Sequence, residues 1–313
     1  MSAARLIALD WGTSALRAYA LGAGGSVLEE RHRPWGILHL PEGGFPAALQ
    51  GIAGDWLATA PGLPLIAAGM VGSAQGWCEA PYAAVPADAQ GLAAQLRCVE
   101  LLPGISLHIV PGVRLGGARP DVMRGEETQI VGLLARQPAL AAGAWLVLPG
   151  THSKWVRVAD GRIADFHTYL TGELFALLRE HSILGRPARD AGGGGASDAA
   201  FDAGVGAVRD GGAAGATPLL FSARTLVLGG QLAAADSLEY LSGLMVGEEI
   251  RCARQAGPAT DELPRLLVGD AALCRRYQRA LSLFGLRSLP AADGAAPAGL
   301  WQIATSAGLL GAA

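Results

Sequence analysis

The 313 residues are 51% hydrophobic, 6% aromatic and 16% charged, with 45 glycines and a net charge of −3. That apolar content excludes a disordered tail and suffices for two cores at roughly 150 residues per domain. The glycines follow no three-residue period, which excludes collagen, and the near-neutral charge offers no basic face for nucleic acid.

Leu6–Leu9 is a short apolar run that ends at Asp10-Trp11-Gly12-Thr13. Leu16–Leu21, a glycine turn at Gly22–Gly25 and then Ser26–Arg31 predict an antiparallel meander. Apolar residues at helical spacing (Leu49, Ile52, Trp56) predict a helix over Phe45–Ala58. Leu63–Ala68 reads as a buried strand ending at Gly69-Met70-Val71-Gly72-Ser73. Leu92–Leu101 reads as a helix and Ser106–Val110 as a strand. Glu126–Leu134 reads as a helix with acids in its first turn, where they suit the dipole.

The pattern then restarts. Trp145–Leu148 ends at Pro149-Gly150-Thr151, Trp155–Val158 follows, and a turn at Asp160-Gly161 leads into Ile163–Leu170. Helices are expected at Glu173–His181 and Ser197–Val208, with Gly192–Gly195 as a link. Thr225–Gly229 is expected as a strand. Asp236–Arg254 is expected as a helix capped by Asp236, with Glu239 three residues on. Leu266–Val268 is a strand ending at Gly269-Asp270, Ala271–Phe284 a helix, and Leu300–Leu310 the last helix. The cysteines, Cys78, Cys98, Cys252 and Cys274, lack the C-x2-C spacing of zinc or redox motifs and are expected to be buried and reduced. No apolar run reaches the roughly 18 residues of a membrane span, and no basic-then-apolar leader opens the chain. The expected setting is cytoplasmic, away from membranes.

Two Gly-Thr turns each follow an apolar strand, open a meander and head a domain-sized half. They predict a duplicated architecture with a cleft between the halves, 1–140 and 141–299; a helix over 300–313 could complete the first. Such a turn presents backbone N–H groups and a hydroxyl to an anion, and glycine permits close approach. Two of them would hold a polyphosphate from both sides. Asp10 ends the first strand, where a carboxylate can hold Mg2+ through water. Leu148 stands at its place in the repeat, so the metal-side carboxylate comes from one half only.

Leu6–Thr13 with Arg17 resembles the first phosphate motif of the actin, Hsp70 and sugar-kinase superfamily. Further segments extend the likeness: Asp10–Arg17, Gly69–Tyr82 (GMVGSAQGWCEAPY), Pro120–Gln129 (PDVMRGEETQ), Leu148–Trp155 (LPGTHSKW), Thr171–Phe175 with His181-Ser182, and Tyr240–Ile250 (YLSGLMVGEEI). Together they resemble the 2-dehydro-3-deoxygalactonokinase family over nearly the whole chain. The resemblance implies an α/β fold of two RNase H-like (actin-like ATPase) domains around an ATP cleft. It also implies transfer of the γ-phosphoryl of MgATP to the 6-hydroxyl of a small sugar acid, 2-dehydro-3-deoxy-D-galactonate.

On that resemblance Asp10 is the metal-side carboxylate, and Gly12, Thr13 and Ser14 form the first phosphate turn. Arg17 reaches phosphate or the substrate carboxylate; a solvated edge-strand arginine is the plainer reading. Phosphoryl transfer needs a group that positions the acceptor hydroxyl and takes its proton. Glu126, about 25 residues before Thr151, is the first candidate, with Asp121 and Glu127 behind it and dipole capping as the plainer reading. Related sugar kinases place Asp here, so Glu is a departure. Gly150, Thr151 and His152 form the second phosphate turn. Lys154 would bring a point charge near the β- or γ-phosphate, against a surface hairpin lysine. A metal role for His152 lacks a second ligand at a recognisable spacing. Gly72, Ser73, Trp77 and Glu79, with Tyr82, form the expected sugar-acid pocket, and Arg124 or Arg17 meets the acid's carboxylate. A core Trp77 and a surface Glu79 are the plainer readings. Gly269 is expected at adenosine, with Gly229 and Gly230 as second choice. The rivals are a kinase of the gluconate epimer or another aldonate, an actin-like protein that assembles or regulates, and an actin-fold phosphohydrolase. Helices in both halves are compatible with a homodimer.

Overall fold

The computed structural model describes residues 3–102, 105–256, 263–290 and 294–311. The chain divides into two compact units: Met1–Gly143 with Arg157–Phe166 and Ala292–Ala313, and Ala144–Val156 with His167–Ala291. The first stretch holds β1 (Leu6–Trp11), β2 (Leu16–Leu21), β3 (Val27–Arg33), α1 (Gly44–Thr59), β4 (Leu65–Ala68), β5 (Tyr82–Ala84), α2 (Ala89–Ala93), β6 (Arg97–Leu102), β7 (Ile105–Ile109), β8 (Gly112–Leu115), β9 (Asp121–Met123) and α3 (Glu126–Arg136). Then come β10 (Ala144–Leu148), β11 (Ser153–Ala159), β12 (Arg162–Tyr169), α4 (Thr171–His181), α5 (Arg186–Asp190), α6 (Asp198–Asp210), α7 (Ser222–Leu228) and α8 (Ser237–Ala256). The chain closes with β13 (Arg265–Leu267), α9 (Ala271–Leu283), β14 (Leu289–Pro290) and α10 (Ala295–Ser306).

The main sheet of the first unit has the order β3-β2-β1-β4-β7-β6. β1, β2 and β3 pair antiparallel, β4 and β7 join in parallel, and β6 returns antiparallel. Three antiparallel strands followed by two parallel ones is the RNase H-like order. Alternation along β1 decides what each face does. Ile7, Leu9 and Trp11 pack with Ala48, Leu49 and Ile52 of α1. Leu6 and Ala8 are buried on the other face, which Asp10 shares. Helix α10 packs on that face and against α3. The two helices touch backbone to backbone: a Cβ on Gly132 would lie 1.8 Å from the Ala295 carbonyl oxygen, and one on Gly299 1.8 Å from that of Thr128. A small sheet, β5-β8-β9, carries the chain from Tyr82 to Arg124.

The second sheet has the order β12-β11-β10-β13-β14, with β13 parallel to β10 and β14 to β13. It repeats the order of the first five strands of the main sheet. The hairpin tip Arg157–Phe166 groups with the first unit, where Ala87 and Ile163 exchange backbone hydrogen bonds of 3.1 and 2.8 Å. One cluster of the second core joins Val147, Trp155, Phe201, Val246, Leu267 and Tyr277; another joins Leu184, Tyr240, Leu241 and Leu244.

Several expectations need correction. The segment expected as helix over Leu92–Leu101 leaves the helix at Ala93 and becomes β6, because Val99 and Leu101 meet the core at a period of two. Thr225–Gly229 is no strand: Ser222–Leu228 is a helix whose Leu228 is 71% exposed, so β-branched Thr225 and Val227 misled. Helix α8 begins at Ser237, one residue later than expected, so Asp236 stands directly before it in the cap position. The last helix starts at Ala295 rather than Leu300. All four cysteines are free, but Cys98 is exposed and the others half-buried.

Candidate active site

β1 delivers Asp10 opposite Arg17 of β2 and Ala68 of β4. The Asp10 carboxylate is 20% exposed, and its Oδ2 lies 3.5 Å from Arg17 Nη1. Burial raises the Asp10 pKa; Arg17 opposes the rise and the Glu126 charge adds to it. The following turn is closed by Gly12 N donating to Ala15 O at 2.9 Å. Its carbonyls are held from below, with Ile37 N donating to Gly12 O at 3.1 Å and Leu38 N to Thr13 O at 3.2 Å. Trp11 Nε1 donates to Trp35 O at 2.7 Å. The 35–38 segment, unnoticed in the sequence, therefore braces the turn and leaves Thr13 and Ser14 exposed.

Two glycines with positive φ bring the acids together. Gly69 (φ 96°) follows β4, and a Cβ there would lie 2.7 Å from Trp11 O. Gly125 (φ 108°) precedes α3, and its Cβ would lie 3.3 Å from Gly69 Cα. The ends of β1 and β4 thus meet the start of α3, which places Glu126 in electrostatic range of Asp10. Glu126 is half-buried, and its Oε2 accepts from Arg124 N at 3.1 Å. Glu127 is fully buried; its Oε2 and Oε1 accept from Gly125 N at 2.7 and 2.9 Å, and Oε1 from Thr128 Oγ1 at 3.1 Å. Burial, and then the charge of Glu126, push the Glu127 pKa up to about 8. It holds its proton at neutral pH and serves the loop. Asp121 Oδ1 accepts from the next amide, Val122 N, at 2.7 Å on β9. Of the three acids, Glu126 is the one whose charge acts on Asp10.

Arg124 is laid over the Tyr82 ring at 4.2 Å, and its Nη2 donates to Ala80 O at 2.8 Å. Its Nε and Nη1 are buried without a hydrogen-bond partner. Buried donors left unmet cost about 1–3 kcal/mol each, so this guanidinium suits an anionic ligand. A Cβ on Gly72 would lie 3.0 Å from Nη1, so Gly72 and Arg124 come together. Arg17, by contrast, is exposed and paired with Asp10. Ser73 is buried with its hydroxyl donating to Met70 O at 2.8 Å. The Trp77 ring stacks on Phe45 at 5.6 Å and meets Trp11 edge-on at 6.0 Å, within the core cluster. Glu79 is exposed.

In the second unit, β10 ends at a turn where Gly150 is half-buried and Thr151 and His152 are exposed. Glu173 N donates to Thr151 O at 3.0 Å, and His152 Nε2 lies 2.5 Å from Glu173 Oε2. A Cβ on Gly172 would lie 2.5 Å from Gly150 O, so α4 starts hard against the turn. Lys154, the only lysine of the chain, is 4% exposed and not on the surface; its Nζ donates to His152 O at 3.4 Å. Beside the turn opens a cavity of about 620 Å³ with apolar walls from Phe175, Met245, Val246 and Leu273, and with Arg276 and Asp270 among its polar groups. Asp270 caps α9, accepting from Leu273 N at 2.9 Å. Gly269 (φ 135°) adjoins Pro149 O, whereas Gly229 and Gly230 follow α7 and end no strand. Among the described residues no group of three or more His, Cys, Asp or Glu could enclose a metal ion. A cation at Asp10 would keep most of its water, which suits Mg2+. Among them, too, no helix is long and apolar enough to cross a membrane.

A family model described as 2-keto-3-deoxy-galactonokinase matches residues 10–303. A relative from Rhizobium meliloti (strain 1021) that carries the name 2-dehydro-3-deoxygalactonokinase is 41% identical over 298 residues, 94% of each chain. The 2-dehydro-3-deoxygalactonokinase of Escherichia coli (strain K12) is 38% identical over 306 residues, covering 96% of this chain and 98% of its own. A crystal structure described as a 2-dehydro-3-deoxygalactonokinase protein from Sinorhizobium meliloti matches with a TM-score of 0.86 at 39% identity, over 96% of this chain and 98% of that one. Matched along nearly its whole length, the chain belongs to the 2-dehydro-3-deoxygalactonokinase family.

Proposed function

We propose that the enzyme transfers the γ-phosphoryl of ATP to the 6-hydroxyl of 2-dehydro-3-deoxy-D-galactonate, giving the 6-phosphate and ADP. Beyond the family itself, the observation that carries this reading is Arg124, whose Nε and Nη1 are buried and unpartnered beside Gly72 in the unit that holds Asp10 and Glu126. That guanidinium is the seat for the acid's carboxylate. Glu126 takes the proton of the 6-hydroxyl as its oxygen bonds to phosphorus and the bond to the ADP oxygen breaks. Glu127, protonated, holds the Gly125 amide and with it the entry of α3. The Gly12–Ser14 and Gly150–Thr151 turns offer N–H groups and hydroxyls to the phosphates, and Lys154 adds positive charge beneath the second turn. The cavity of about 620 Å³ takes the nucleoside between its apolar walls. Mg2+, held through water by Asp10, would neutralise charge on the phosphates. Little covalent work falls to the protein, and the rate comes from positioning and electrostatics.

The test is ADP release in a coupled assay with MgATP and a panel of acceptors: 2-dehydro-3-deoxy-D-galactonate, its gluconate epimer, D-galactonate, D-galactose and none. Turnover should need an acceptor and favour the first compound. Equal rates with and without acceptor would overturn the kinase reading in favour of hydrolysis.

A further inference from the structure

Of the three acids on helix α8, Glu239, Glu248 and Glu249, only the last is buried, and the proposed reaction does not use it. Glu249 is 2% exposed. Its Oε1 accepts from Ser153 Oγ at 2.6 Å and from Trp155 Nε1 at 2.7 Å, and its Oε2 accepts from the Tyr277 hydroxyl at 2.6 Å. The Thr171 side chain is a further hydrogen-bond partner. Burial raises the carboxyl's pKa and these donors oppose the rise. A buried carboxyl is costly, and an apolar side chain of similar volume would serve packing alone at least as well.

The donors are not scattered. Ser153 and Trp155 begin β11, directly after the Gly150–His152 turn. Thr171 begins α4, whose next residue, Gly172, presses on Gly150. Tyr277 belongs to α9. Thr171 and Tyr277 line the cavity themselves, as do Met245 and Val246 one turn before Glu249 on α8. One carboxyl is thus the common anchor of the turn and of three cavity walls.

We propose that Glu249 is the positioning residue of the donor half-site, fixing the Gly150–Thr151 turn to the cavity walls through Ser153, Trp155, Thr171 and Tyr277. It acts on the nucleotide through these four groups and touches no reacting atom. The inference rests on the reading of this cavity as the nucleotide site.

The experiment compares wild-type enzyme with Glu249→Gln and Tyr277→Phe. Its readouts are the KM for MgATP, the KM for the sugar acid, kcat, the Kd for MgADP without acceptor, and circular dichroism for folding. Glu249→Gln replaces an acceptor oxygen by a donor group and should raise the MgATP KM and the MgADP Kd at least tenfold, with the acid KM within twofold of wild type. Tyr277→Phe removes one hydrogen bond and leaves the ring, so it should shift the same two constants about threefold; it decides the matter if Glu249→Gln does not fold. Nucleotide constants unchanged within twofold in a folded variant, or an acid KM rising in step with the MgATP KM, would overturn the proposal. Hydrogen exchange of the unmutated enzyme tests the reading beneath it. MgADP should protect residues 149–155, 242–250 and 270–277, and protection lying wholly elsewhere would overturn the donor-site reading and the proposal with it.

Discussion

Replacing Glu127 by Gln should flatten the pH dependence of the enzyme's stability. The Glu127 side chain is fully buried at the entry of α3, and its pKa stands at about 8 against an ordinary 4.5. Between those values the native protein keeps a proton that the unfolded chain has released. Stability therefore falls as pH rises, by about 1.4 kcal/mol per unit, on the order of 4–5 kcal/mol in all. Below pH 4.5 both states hold the proton and the effect is absent; above pH 8 it is complete. Gln keeps a carbonyl for Gly125 N and Thr128 Oγ1 and has no proton to lose. Urea unfolding of both proteins, followed by tryptophan fluorescence at pH 5, 6.5, 8 and 9, isolates this one group, because other titrations cancel in the difference. The variant should gain on wild type steadily from pH 5 to 8. Two parallel curves would refute the argument that burial keeps this carboxyl neutral.

Arg17→Ala removes the charge that opposes the burial-driven rise of the Asp10 pKa, so the acid limb of kcat should move to higher pH; an unmoved limb in a pH–rate profile would count against a working Asp10. Gly299→Ala forces a Cβ to within 1.8 Å of Thr128 O and should cost about 1–3 kcal/mol or more, read as a lower Tm. Arg124→Lys keeps the charge but loses the planar fork over Tyr82, and should raise the acceptor KM about tenfold while sparing the MgATP KM; equal change in both constants would remove Arg124 from the acid's pocket.

The two meanders were legible because each is marked twice, by apolar runs and by the turns at Gly12-Thr13 and Gly150-Thr151. Helix α1 announced itself by apolar spacing and α3 by the acids of its first turn. The small sheet did not, since strands of three residues such as Tyr82–Ala84 carry no period to read. Arg97–Leu102 misled because its apolar residues continue those of the helix before it, and only the core decides that they alternate. At the site, Asp10, Thr13, Glu126 and Arg124 stood beside glycines that mark close approach. Trp77 and Glu79 lie in the same motif, but whether a ring faces a ligand or a core depends on Trp11 and Phe45, which are remote in sequence. Glu249 was out of reach for the same reason. Its partners stand 96, 94 and 28 residues away along the chain, and a helix full of apolar residues gives no sign of them.

The glycine contact between α3 and α10 has a consequence for the order of synthesis. Helix α3, which starts with Glu126 and Glu127, presses its Gly132 against residues 295–299, and these leave the ribosome only after the whole of the second unit. A nascent chain that has made the first sheet therefore still presents α3 with its partner missing. Its two first-turn acids gain that support only after the second unit has been made, so the unit whose synthesis begins first is completed after its neighbour.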